Sequence, residues 1–208
     1  MAATRRRPLS RRRILEAAVG FVDREGLEAL SMRKLGSELG VEAMSLYNHV
    51  PNKGALLDGM VEVLLGDLEV PPEGEDWEER IREAYRRFRR LAHAHPDIFP
   101  LLITRPPEAM YGVWLAEEFL KTLREAGFEP RMALHAFRTL NSYTVGYAMA
   151  EIRDFALEPG GARMGALRLS EHEFPHISEL KPHLEGVNRD AEFEFGLDLI
   201  FAGLRERA

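Results

Sequence analysis

No cysteine occurs among the 208 residues, which excludes disulfides and thiolate-bound metal. No apolar run approaches the roughly 20 residues of a membrane-spanning helix, and the N-terminus carries no signal-peptide apolar core. The expectation is a cytoplasmic chain with no membrane partner. Sustained two-residue alternation is missing, as is any internal repeat, so strands and solenoids are not expected. Neither Ser-His-Asp spacing nor a glycine-rich phosphate loop occurs, and Gly160-Gly161 reads as loop punctuation. Seven histidines are present, but Pro175 separates His172 from His176 and spoils a helical metal pair, while His93 and His95 point to different sides of a helix. No catalytic residue, metal site or cofactor is expected, and the chain does not read as an enzyme.

What is present is an uneven charge. The net charge is −6, yet residues 1–54 hold ten Lys/Arg against six Asp/Glu, a net of +4, and the remainder holds 18 against 28, a net of −10. A basic head on an acidic body suits a protein that docks one end on a polyanion.

Periodicity then divides the chain. Residues 1–9 are a polar, arginine-rich arm expected to be disordered; Arg5, Arg6 and Arg7 either lie along a nucleic acid or remain in a solvated tail. Ser10 caps a first helix, Arg11 to Glu25, with Ile14, Leu15, Ala18, Phe21 and Val22 inward and Gly26 as its stop. Ser31 caps a second, in which Met32, Leu35 and Leu39 repeat at helical spacing until Gly40. A third, roughly Glu42 to Val50, is anchored by Val41 and Leu46. Two short helices around a glycine turn make a helix-turn-helix pattern.

A connecting helix over 53–69 has a wide apolar face, and the prolines and glycine of VPPEGEDW mark the boundary before a C-terminal domain over 70–208. There Asp76 caps a helix to about His95, whose outward Arg82, Arg86, Arg87, Arg89 and Arg90 read as a solvated, ion-paired face. The spacing predicts helices over Glu108–Ala126, over Arg131 to about Leu157 with an apolar surface nearly all round, and over Arg189–Glu206. Loop and a short helix or two are expected from Glu158 to Gly186. The fold class is all-α.

LGVEAMSLYNHVPNKGALLD, from Leu39 to Asp58, resembles the signature of the TetR family of bacterial transcriptional regulators, down to Leu46-Tyr47, His49, Lys53 and Leu56-Leu57. Trp77, Thr104-Arg105-Pro106, Gly127-Phe128, Tyr143-Thr144-Val145-Gly146 and DAEFEFGLDL resemble the ligand-binding domain of the tetracycline-repressor branch. The resemblance implies a three-helix DNA-binding head over 10–52 and a homodimer. It further implies release from a palindromic double-stranded operator when a small molecule occupies the C-terminal domain.

The same resemblance places Met44, Ser45, Tyr47 and Asn48 on the recognition helix, with Arg33 reaching in from the helix before. Arginine can bond a guanine edge, asparagine an adenine, and apolar side chains can touch a thymine methyl. Tyr47, His49, Lys53 and Ser31 are assigned to phosphates. Phe88, His95, Leu101, Arg105, Trp114, Phe137, Asn141 and Tyr143 are nominated for the effector pocket, combining apolar walls with a few polar handles. The tetracycline repressor holds its drug as a magnesium chelate, and the matching positions here are Leu101, Glu69 and Ala84. A leucine cannot ligate a metal, so tetracycline with magnesium is not the expected effector. A DNA-binding regulator whose C-terminal half docks a protein is the alternative.

Overall fold

The computed structural model describes residues 8–68, 71, 76–105, 110–153, 172–184 and 188–207. Residues 1–7 of the basic arm expected over 1–9, Glu69, and residues 158–171 of the loop expected from Glu158 to Gly186 lie outside them. Ten α-helices and no strand occur among the described residues: α1 Arg11–Glu25, α2 Met32–Leu39, α3 Ala43–Tyr47, α4 Lys53–Gly66, α5 Trp77–Ala94, α6 Leu101–Thr104, α7 Met110–Glu125, α8 Pro130–Arg153, α9 Pro175–Leu184 and α10 Arg189–Arg205. The chain forms two compact units, one of Met1–Val70 with Ala94–Ala116 and one of Pro71–His93 with Glu117–Ala208.

In the first unit, α1 begins where Ser10 Oγ accepts the amide of Arg13, and it ends where Gly26 turns to φ 82°. Ile14, Ala18 and Val22 on α1, with Leu35 on α2, Leu46 on α3 and Leu56 and Met60 on α4, are buried in one core. α1 and α4 meet closely, since a Cβ on Gly59 would stand 2.5 Å from Leu15 Cδ2. The segment 95–105 joins this unit through Ile98 and Phe99, both fully buried, and through α6 against α4.

The second unit has a core of Ile81, Tyr85, Leu123, Phe128, Leu140, Phe193, Leu197 and Phe201. Trp77 packs edge-on to Phe128 with ring centroids 5.0 Å apart. Tyr143 lies flat on Phe193 and donates to the Phe193 carbonyl at 2.9 Å. Gly196 permits this, because a Cβ there would fall 2.1 Å from Tyr143 Oη. Pro130 opens α8, its fixed φ suiting a first helical position. The buried face of α8 is one stripe, Ala133, Ala136, Leu140, Thr144, Ala148 and Glu151, so the helix is less apolar all round than its composition suggests.

The arginines of α5 depart from the expected solvated face. Arg82 is buried, and it bonds Glu78, Glu194 and Asp198. Arg86 donates to Glu194 at 2.6 and 2.9 Å, and Arg89 donates to both oxygens of Glu151 at 2.6 and 2.8 Å. The row is ion-paired as its composition suggests, but much of the pairing crosses to α8 and α10, because the arginines face those helices. Arg87 and Arg90 do pair within α5, both with Glu83.

Burial raises the Glu78 carboxyl, but hydrogen bonds from Arg205 and Arg82 outweigh it and hold the group below 4.5. A carboxyl depressed in the folded state stabilises above its unfolded value, and that contribution is lost as pH falls through the folded one. Glu78→Gln should therefore be less stable than the parent at pH 7, with the gap closing as pH falls below about 4.5; urea midpoints across pH 7 to 3 measure it.

Candidate nucleic-acid interface and effector domain

The turn between α2 and α3 is built by two glycines. Gly40 takes the left-handed conformation at φ 68°, which permits the chain to reverse after Leu39. Gly36 lies under the returning strand of chain: a Cβ there would stand 2.9 Å from the Val41 carbonyl and 3.2 Å from the Ala43 nitrogen. Sequence reading finds Gly40, because a glycine after a helical run is a local signal. It misses Gly36, whose requirement comes from residues five to seven positions later.

α3 is shorter than expected, five residues in place of about nine. Pro51 disfavours helical geometry at Val50, so the chain leaves the helix at Asn48 while Val50 still donates to the Leu46 carbonyl at 2.9 Å. Leu46 and Val50 are both buried and anchor α3 from within. On the other side Met44 is 74% exposed and Tyr47 41%, and Asn48 and His49 are exposed beside them. Ser45 is half-buried, and Arg33 projects from α2 into solvent.

Two nominated phosphate contacts also have work inside the head. Ser31 Oγ accepts the Lys34 amide at 3.3 Å, capping α2. Lys53 donates to the Leu30 carbonyl at 2.8 Å, which links the start of α4 to the residue before the N-cap of α2. A lysine carries three donors and a serine hydroxyl keeps its proton, so neither bond uses the group up.

The eight nominated effector residues divide between the units. Phe88, Phe137, Asn141 and Tyr143 belong to the second, all half-buried; the Phe137 ring centroid is 5.1 Å from that of Phe119, which lies 5.6 Å from that of Tyr85. Burial drives the Tyr85 phenol well above its ordinary value, and burial with nearby carboxylates pushes Tyr143 up to about 12. Both therefore stay protonated donors at neutral pH.

His95, Leu101, Arg105 and Trp114 belong to the first unit. There His95 Nδ1 lies 3.0 Å from both carboxylate oxygens of Asp23 on α1. Arg105 donates to Asp58 at 2.5 Å and to the Gly54 carbonyl at 3.2 Å, both on α4. These two polar handles hold neighbouring helices of their own unit. An open groove of about 530 Å³ lies between α7 and α8, lined by Leu120, Lys121, Arg124, Pro130 and Ala133 among others. It includes no nominated residue.

Residues 14–60 match the family described as bacterial regulatory proteins, tetR family, and residues 70–208 match the tetracyclin repressor-like C-terminal domain. The tetracycline repressor protein class G of Vibrio anguillarum is 32% identical over 194 residues, covering 91% of this chain and 90% of that one. The HTH-type transcriptional repressor DrrR1 of Streptomyces coeruleorubidus is 32% identical over 208 residues, covering 92% and 76%. Among solved structures, ActR of Streptomyces coelicolor in complex with actinorhodin superposes with a TM-score of 0.79 at 34% identity, covering 96% of this chain and 98% of that one.

Gly36 gives the turn a direct test. Gly36→Ala gains up to about 1 kcal/mol of helix propensity but sets a methyl against backbone that has no rotamer to change. A net loss of about 1–3 kcal/mol in urea unfolding is expected, and stability equal to the parent would mean the turn yields without cost.

Proposed function

The chain belongs to the TetR family of bacterial regulatory proteins, and we propose that it is a homodimeric repressor, released from a near-palindromic operator by a small molecule. The observation that carries the DNA reading is the two-sided α3. Leu46 and Val50 hold it from within, and Met44, Tyr47, Asn48 and His49 stand outward on a head that, counted with its arginine-rich arm and Lys53 as residues 1–54, carries a net charge of +4. In this reading Arg33, Met44, Ser45 and Asn48 meet base edges. Tyr47 and His49, with the remaining protons of Ser31 and Lys53, meet phosphates.

The dimer reading rests on α10. Phe195 and Leu199, one turn apart, are 64% and 62% exposed, while Phe193, Leu197 and Phe201 on the same helix are buried. An apolar stripe of that kind needs a cover, and a second copy of α8 and α10 would complete a four-helix bundle. Two recognition helices must then sit roughly 34–36 Å apart to enter successive major grooves.

For the effector, the half-buried Phe88, Phe137, Asn141 and Tyr143 offer aromatic walls and an amide handle within the second unit. A structural relative holds actinorhodin, which supports a small organic molecule as the class of ligand. Although relatives are named for tetracycline, we propose that the effector is not a magnesium chelate. Of Leu101, Glu69 and Ala84, the positions where the resemblance places the metal site, Leu101 and Ala84 offer no side-chain ligand atom, which leaves the Glu69 carboxylate alone. To reverse operator occupancy from about 99:1 to 1:99, the effector must prefer the released shape roughly 10⁴-fold. Arg105, bonded to Asp58 and to the Gly54 carbonyl, is a means by which a change near α6 would reach α4.

Binding of duplexes enriched from a random pool, followed by fluorescence anisotropy against salt, tests the interface. Tyr47→Ala should weaken binding about tenfold, and Lys53→Met should lower the slope of log affinity against log salt by about one. Unchanged binding in both variants would remove DNA from this face. For the dimer, Phe195→Glu should sediment as a monomer where the parent sediments at twice that mass; a parent that is itself monomeric overturns the dimer.

A further inference from the structure

Met44 is the most exposed of the large apolar side chains among the described residues, at 74%. It does not fill a gap in the head, whose core is closed beneath it by Leu46 and Val50. Three positions on, Tyr47 shares its side of α3, since residues three apart on a helix are neighbours. Ala43, before it, has no polar side-chain atom either. A thioether offers only a weak acceptor and no donor. A methionine here therefore gains nothing from the donor and acceptor pattern of a base edge, and set against one it would strip water from polar atoms without replacing it.

One major-groove feature of the four bases is apolar, the 5-methyl group of thymine. A long unbranched side chain with three rotatable bonds can reach and wrap such a group, where a branched one would have to be placed exactingly by the backbone. Resting on the operator-binding reading of α3, we propose that Met44 is a specificity-determining residue that packs on a thymine methyl. Each half-site then carries an A·T pair at the step facing the start of the recognition helix. Ser45 and Asn48 supply the hydrogen bonds that Met44 cannot.

The test deletes the methyl from the DNA and the methionine from the protein in one cycle. A duplex is enriched from a random pool by the parent dimer, and each thymine of its half-site is replaced in turn by deoxyuridine, which keeps every hydrogen-bonding group and loses only the methyl. At one thymine per half-site the parent should lose about fourfold in affinity, and about fifteenfold when both half-sites are changed, the worth of one buried methyl each. Met44→Ala, a substitution at an exposed position that leaves the head core intact, should bind the thymine and uracil versions equally at that step. Losses under twofold at every thymine, or a loss that persists undiminished in Met44→Ala, overturn the proposal and leave operator binding in place. If no duplex is enriched at all, the operator reading falls and the proposal falls with it.

Discussion

A carboxylate with no exposed side-chain surface ties three helices of the second unit together. Glu151 on α8 is held by both prongs of Arg89, with His93 Nε2 2.9 Å from one of its oxygens. Arg89 reaches further, to Asp190 at 2.7 Å, and its guanidinium lies 4.9 Å from the centre of the Phe193 ring. Three helices, α5, α8 and α10, therefore meet at one cation. A buried charge is tolerated only with its partner in place, and removing one member typically costs about 3–5 kcal/mol. The two-pronged geometry of this cluster adds a directional constraint on how the three helices align that apolar contacts alone lack.

The rest of the α5 arginine row repeats the logic. Arg82 and Arg86 share Glu194 on α10, and Arg82 lies over the Phe201 ring at 4.5 Å. A helix with an apolar stripe and a charged stripe ordinarily has one wet side. Here parts of both stripes are buried, and the polar one fixes alignment while the apolar one supplies the bulk of the driving force. Ionic contacts of this kind within a ligand-binding fold confine the shapes available to it, which suits a unit whose proposed task is to exist in two distinct arrangements.

How much of this was legible depends on whether a residue's reason is near it in the chain. α1 runs from Arg11 to Glu25 as the sequence suggests, because Ser10 and Gly26 announce both ends locally. α2 ends at Leu39 for the same kind of reason. Gly36, Gly59 and Gly196 are silent in the sequence, since what each must make room for is a carbonyl, a leucine or a tyrosine brought there by folding. The arginines of α5 are visible as a row, but only the structure shows Glu151, Glu194 and Asp198 waiting on other helices. The outward face of α3 was legible because a signature spans it. The nominated effector residues are scattered, because helical spacing tells which residues share a side and not which helix will cover it; His95 and Arg105 turn to Asp23 and Asp58 in the first unit.

α3 also bears on how such a protein changes over generations. Five residues cannot sustain a helix unaided in water, so its shape is lent by Leu46, Val50 and the glycine beneath the turn. The outward positions carry almost none of that burden. In the proposed operator-binding reading, substitutions at Met44 or Asn48 would alter which DNA is preferred while the fold stays at full strength, and a duplicated gene would acquire a new target in a few steps without passing through an unstable intermediate.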